Sequence, residues 1–296
     1  MVDSITQNPL DGARIISYGE IIFDQIAGKS YLGGAPLNFA WYVNQMGAEV
    51  TLVSRLGRDT RGDQAFNTIM TSGIDPCLSR SDQPTGSATL ERDGTFNIHR
   101  GAAWEHIPAP QIYGIDFRML YFGTLSQLSE VNRKAVGKLL DMKPKYVVVD
   151  LNLRKNGYTP ITIENCLKQA SVVKMNLEEW EVVASVTGIS RPETLMSKKH
   201  LNAIAITDGQ AGATLYSSAG GIEFKPDSVK DVDPTGAGDA FTAVLSVGII
   251  ANAHPAQALA AACQAGAIVV SRKGAMIELP TDIKNAYSDP VNNSGG

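Results

Sequence analysis

The sequence predicts an α/β fold: one mostly parallel sheet covered by helices on both faces. Three observations lead there. Short runs of β-branched and other apolar residues alternate with segments of helical composition from Arg14 to Ser271. Neither an internal repeat nor a long linker interrupts that alternation. The 296 residues, 44% hydrophobic and 19% charged, suffice for one large core, so a single domain is expected over 1–296.

Arg14 to Phe23 is rich in β-branched residues and reads as a first, buried strand. Asp24 ends it. A carboxylate there either grips a polyol by accepting from two hydroxyls or is a solvated turn residue. Gly33 and Gly34 permit close backbone approach to a ligand and lead into a helix over Phe39 to Met46. Asn38 offers a donor and an acceptor to hydroxyl groups, or else caps that helix. Glu49 to Leu56 reads as the second core strand and Asp63 to Ser72 as a helix stopped by Gly73. Ser87 to Glu91 and Thr95 to His99 flank Arg92-Asp93-Gly94, a strong hairpin signal. Such an insert serves as a lid that excludes water, as a dimer contact, or as surface decoration.

Met119 to Gly123 is a short strand, and Ser129 caps a helix running to about Met142. Tyr146 to Leu151 is the clearest buried strand. It ends in Asp150-Leu-Asn152-Leu-Arg154, at the sheet edge where α/β folds gather their sites. Arg154 holds a substrate oxygen or a phosphate, or forms a surface salt bridge. Thr162 to Ala170 reads as a helix and Ser171 to Met175 as a strand. Asn176-Leu-Glu-Glu179 then has the spacing of a capping box; the alternative places Glu179 near a hydrated Mg²⁺. After the strand Ala203 to Thr207, Gly209 and Gly212 allow contact with a nucleotide or make a tight hairpin into Ala213 to Tyr216. Pro255 to Ser271 is an Ala-rich helix ended by Arg272-Lys273-Gly274-Ala275. The tail from Asp289 is expected to be disordered.

The chain centres on Asp233-Pro-Thr235-Gly236-Ala237-Gly238-Asp239, which opens an apolar helix over Ala240 to Ile250. Two glycines and an alanine before a helix let N–H groups converge on an anion, helped by the positive end of the dipole. A bare carboxylate suits a phosphate poorly. Asp239 makes sense as a base taking a proton from a hydroxyl while the N–H groups hold a transferring phosphoryl group. The other reading is a glycine-rich turn capping a buried helix.

Net charge is −4 with Lys and Arg dispersed, which points away from nucleic-acid and membrane-surface partners. Cys77, Cys166 and Cys263 lie far apart without metal spacing and suit a reducing compartment. The stretch Met1 to Asp11 lacks the pattern of a secretion signal, so a cytoplasmic location is expected.

Taken together, these residues resemble the ribokinase-like carbohydrate kinases, the PfkB family. Gly33-Gly34-Ala35-Pro36-Leu37-Asn38-Phe39-Ala40, with Gly47 and Gly57, matches the first family signature, and Asp233 to Asp239 matches the second. Asp150 to Arg154, Asn176 to Glu179 and Thr207 to Gly212 extend the resemblance over about Arg14 to Pro280. It implies a three-layer sandwich with a small β lid from about 25–32 and 85–102. It also implies ATP and Mg²⁺ as cofactors and a sugar as substrate, and the hairpin adds the expectation of a homodimer through the lid. Asp239 corresponds to the base and Gly236, Ala237 and Gly238 to the anion hole. Asp24, Gly33, Gly34, Asn38 and Arg154 correspond to substrate contacts. Asn176, Thr207, Gly209 and Gly212 fall at nucleotide positions and Glu179 at a water-mediated Mg²⁺ position. Asp233, Thr235 and Gly274 fall where members coordinate a monovalent cation such as K⁺. Val244 departs from the family, which usually has Gly or Ala there. Ala103-Trp-Glu-His-Ile-Pro108 and Asp150 to Arg154 look most like the bacterial fructokinase branch. Kinases of 2-keto-3-deoxygluconate share the Asp-x-Asn-x-Arg pattern, so Arg154 pairs with a sugar-acid carboxylate in that alternative. Kinases of ribose or nucleosides, and a non-catalytic sugar- or nucleotide-binding homologue, are further readings.

Overall fold

The computed structural model describes residues 10–92, 95–111 and 116–288. The predicted tail, most of the N-terminal stretch and the hairpin turn Asp93-Gly94 lie outside the described residues. In chain order the strands are β1 (Ile15–Tyr18), β2 (Ile22–Ile26), β3 (Lys29–Gly33), β4 (Val50–Gly57), β5 (Asp75–Ser81), β6 (Gly86–Leu90), β7 (Phe96–Ile98), β8 (Met119–Gly123), β9 (Tyr146–Asp150), β10 (Val172–Asn176), β11 (Ala203–Thr207), β12 (Ala213–Ser217) and β13 (Gly220–Phe224). The helices are α1 (Ala35–Gln45), α2 (Thr60–Met70), α3 (Glu130–Leu140), α4 (Pro160–Gln169), α5 (Leu177–Thr187), α6 (Pro192–Lys199), α7 (Ala237–Ile250), α8 (Pro255–Val270) and α9 (Thr281–Lys284).

Nine strands form the main sheet in the order β13-β12-β11-β10-β9-β8-β1-β4-β5. Pairing is parallel from β11 to β5, and the hairpin β11-β12-β13 adds an antiparallel edge. The chain enters at β1, builds outward through β4 and β5, then crosses to β8 and builds the other way. The C-terminal ends of β1 and β8 therefore flank a switch point, the crevice where open α/β sheets bind ligands.

Alternation of side chains sorts the core into two layers. Ile15, Met119, Tyr121, Val148 and Val172 face α1, α7 and α8. Ile16, Tyr18, Leu120, Phe122 and Val149 face α3, α4, α5 and α6. The predicted α/β sandwich is therefore present as three layers. Val244 is fully buried in the α7 core and stands clear of the site.

The run read as one strand from Arg14 to Phe23 is two strands in two sheets. Gly19 breaks it at φ +150, a conformation that L side chains rarely adopt, and a Cβ there would lie 2.6 Å from Pro36. The chain bends through Glu20 and Ile21 into β2, which joins a four-stranded sheet of order β3-β2-β6-β7. That small sheet takes in both predicted lid segments and starts at Ile22, so Asp24 lies inside a lid strand rather than at the end of a core strand. The β6–β7 pairing is antiparallel, as the hairpin signal predicted. Among the described residues no helix is long and apolar enough to cross a membrane.

Candidate active site

Gly236 turns the chain into α7 at φ +83, a left-handed conformation costing other L-residues about 1–2 kcal/mol. Space also excludes a side chain: a Cβ there would lie 2.5 Å from the Ala275 carbonyl oxygen. Ala275 is held by α1, since its carbonyl accepts from the Tyr42 hydroxyl at 2.7 Å. Trp41 Nε1 and Gln45 Nε2 donate to the Ile277 carbonyl beside it. Ala237 N–H donates to the Pro234 carbonyl at 3.2 Å. The first-turn N–H groups of Gly238 and Asp239 have no acceptor within the helix, and the dipole of a 14-residue helix points its positive end outward. These groups are the donors that the sequence reading expects to meet an anion.

Asp239 sits in that first turn, half-buried. Asn38 Nδ2 donates to Asp239 Oδ2 at 2.8 Å, joining the two glycine-rich segments across 201 residues of chain. Burial pushes the Asp239 carboxyl above the usual aspartate range, and the Asn38 bond with the charges of Lys174 and Arg154 offsets part of that rise. A carboxylate with raised proton affinity, next to an anion site, has the properties of a general base.

Asn38 lies inside α1, four residues past Gly34, so it does not cap the helix. Its Oδ1 is buried without a partner among the described residues. Gly34 precedes α1 at φ +111, where a Cβ would come within 2.5 Å of the Glu20 carbonyl. Gly33 leaves a gap between two functional groups: a Cβ there would be 3.5 Å from Asp24 Oδ2 and 3.9 Å from Asn38 Oδ1. The Asp24 carboxyl is raised to about 6, chiefly by burial, with Arg154 lowering it and Asp239 and Asp233 raising it. Arg154 is exposed and makes no salt bridge among the described residues. Its charge acts on Glu20, Asp24 and Asp239. The surface-salt-bridge reading of Arg154 is set aside, because among the described residues it forms no such bridge.

Glu20 escaped the sequence reading. It sits in the bend between the two sheets, 3% exposed, with Oε2 unpartnered among the described residues. Burial first, then repulsion from Asp239, raises its carboxyl to about 7, against lowering by its own backbone N–H and by Arg154. Lys174 escaped as well; it is 7% exposed on β10 and pairs with Asp150 on β9. In both cases the signal was a charged residue inside an apolar run, which requires a buried partner or a task.

A cleft of about 220 Å³ is lined by Thr207, Gly209, Gly212, Ala237 and Gly238. Val229, Cys263 and Val270 give it apolar walls suited to a flat ring. These wall residues were not singled out in the sequence. Gly212 has a structural duty too, since a Cβ there would collide with the Phe224 carbonyl in β13. Asn176 neighbours Thr207 in the parallel register and caps α5. The capping box is complete: Asn176 Oδ1 accepts from Glu179 N–H at 2.7 Å, and Glu179 Oε2 accepts from Asn176 N–H at 2.8 Å. Glu179 Oε1 also accepts from Leu153 N–H at 2.7 Å, fixing the segment that carries Arg154. With both oxygens engaged, the donor set fits Mg²⁺ only through water.

Asp233, Thr235 and Gly274 come together at the start of α7. Thr235 N–H and Gly274 N–H each donate to one Asp233 oxygen at 3.0 Å. Each oxygen keeps a lone pair, so the cluster fits a weakly held monovalent cation. Among the described residues no group of three or more His, Cys, Asp or Glu is arranged to hold a metal ion.

The family described as "pfkB family carbohydrate kinase" matches residues 2–282. The chain is 26% identical to the fructokinase of Solanum tuberosum, over 94% of this chain and 96% of that one. It is 28% identical to the aminoimidazole riboside kinase of Salmonella typhimurium, over 85% and 86% of the two chains. Its fold matches the crystal structure of a fructokinase from Vibrio cholerae in its fructose-, ADP- and calcium-bound form, with TM-score 0.82 at 22% identity over 95% of this chain and 100% of that one. A double-mutant form of that Vibrio protein, with fructose, ADP and potassium bound, matches with TM-score 0.81 at 22% identity over 94% and 98%.

Proposed function

The chain belongs to the pfkB family of carbohydrate kinases, and from that premise we propose that it transfers the γ-phosphoryl group of ATP to the primary hydroxyl of fructose, giving fructose 6-phosphate. The observation that carries this reading is the Asn38–Asp239 bond, which sets a carboxylate of raised proton affinity beside Gly238 and the cleft.

In the proposed mechanism the sugar lies over Gly33 and Gly34, with its hydroxyls on Asp24 and Asn38. Asp239 takes the proton from the attacking hydroxyl as the oxygen approaches the γ-phosphorus in line. The N–H groups at the start of α7 receive the charge of the equatorial oxygens. Arg154 covers the carboxylate cluster and is placed for a substrate oxygen. Thr207, Gly209 and Gly212 hold the nucleotide, with Asn176 at its phosphates. Glu179 is the proposed holder of hydrated Mg²⁺, which when bound neutralises phosphate charge. Asp233, Thr235 and Gly274 are the proposed holders of a monovalent cation such as K⁺. A lid-to-lid homodimer belongs to the same reading, and sedimentation would report it as twice the chain mass.

Fructose rests on the naming of relatives such as the potato enzyme and on the Ala103 to Pro108 segment. The test is ADP release with ATP and Mg²⁺ over fructose, ribose, 2-keto-3-deoxygluconate, a nucleoside and fructose 6-phosphate. Turnover on fructose well above the others is expected. Preference for the keto-deoxy acid would make Arg154 a carboxylate clamp and reject fructose.

A further inference from the structure

Strands β9 and β10 alternate faces, with Val148 and Val172 pointing toward the α7 layer. The next positions on that face are Asp150 and Lys174, opposite each other in the parallel register. Alternation calls for apolar side chains at both. A buried ion pair is a costly substitute, and well-packed apolar residues often hold a fold equally well. The position of this pair supplies a reason for it. Lys174 Nζ lies 3.3 Å from Asp150 Oδ1. Asp150 Oδ2 accepts from Thr242 Oγ1 at 3.0 Å, and that hydroxyl also sits 2.8 Å from the Gly238 carbonyl, one turn back along α7. A Cβ on Gly238 would lie 2.9 Å from Lys174 Nζ, so the ammonium rests against the glycine of the anion-binding turn. The groups whose charges act on Lys174 are Asp150 on β9, Glu179 on α5 and Asp239 on α7.

We propose that Lys174, anchored by Asp150, is a positioning residue for phosphoryl transfer: it seats Gly238 and the first turn of α7, and places a fixed positive charge behind the anion hole. A charge held in a low-dielectric interior needs no reorganisation when negative charge develops in front of it. The proposal rests on reading Gly236 to Asp239 as anion hole and base.

The pair Lys174→Met with Asp150→Asn removes both charges and leaves neither buried alone. With ATP, Mg²⁺ and the sugar that the substrate panel identifies, its kcat is expected to fall about 100-fold, the scale of one lost oxyanion donor. The sugar KM is expected to stay within about threefold, because no group touching the sugar changes. Recovery of kcat to within about threefold would show a plain core ion pair and overturn the proposal. Lys174→Gln, which keeps an amide bonded to Asp150, gives an independent check with the same expected loss if the double variant folds poorly. Near-native kcat in that variant would equally overturn it. Asp239→Asn, assayed in parallel, separates the two layers of the argument. Near-native turnover there removes the base itself, whereas an inactive Asp239→Asn beside an active double variant removes only the role of Lys174.

Discussion

Asp233 and Asp239 stand at opposite ends of the segment that opens α7, and their surroundings move them in opposite directions. Burial alone would raise the Asp233 carboxyl, but bonds from Thr235 and Gly274, with the charge of Lys273, outweigh it and hold this carboxyl below the usual range. Asp239 is more deeply set, and its single side-chain donor, Asn38, leaves the rise from burial only partly offset. Two backbone N–H groups turn one aspartate into a clasp between the ends of α7 and α8. Fewer donors and greater burial leave the other with affinity for a proton. The same residue type is thus a fastener at one end of the segment and, in the proposed reading, the base at the other.

The strongest way to break this comparison acts on the turn between the two carboxylates. Gly236→Ala forces a left-handed alanine against the Ala275 carbonyl. A loss of at least about 100-fold in kcat is expected. Native kcat in steady-state assays would show that the turn does not serve the reaction.

Asn38→Ala sharpens the Asp239 side. The bond from Asn38 favours the ionised carboxylate, which is the form that works as a base. Removing it raises the carboxyl further, so the acid limb of the kcat/KM profile moves to higher pH. An added loss of about tenfold is expected on the acid side, with less above it. An acid limb that stays in place would detach Asn38 from the base.

The smallest effect belongs to Asp233→Asn. A carboxyl depressed in the folded state stabilises it above the ordinary carboxylate range, and the contribution fades as pH falls through the folded value. The variant is expected to melt about 2–4 °C lower at neutral pH, with the gap closing in acid. A gap that widens in acid would reverse the assignment.

The sequence disclosed the glycine-rich turns and the carboxylate proposed as the base because their spacing is local. Gly34 and Gly236 meet steric demands that no other residue satisfies at their angles. It hid the bend at Gly19, since apolar residues on both sides make a broken run look continuous, and so it put Asp24 at the wrong strand end. The capping alternative for Asn38 arose because its helix was begun four residues late. The Lys174–Asp150 pair and the apolar walls at Val229, Cys263 and Val270 depend on which distant elements become neighbours, and local periodicity does not carry that information.

The most direct test of the central claim is single-turnover phosphoryl transfer by Asp239→Asn, with sugar affinity measured calorimetrically on the same preparation. The account predicts sugar binding within about threefold of the parent chain and transfer slowed by about 10³-fold or more. Transfer at a near-parent rate with binding intact would contradict Asp239 as the base and, with it, the role assigned to the α7 turn.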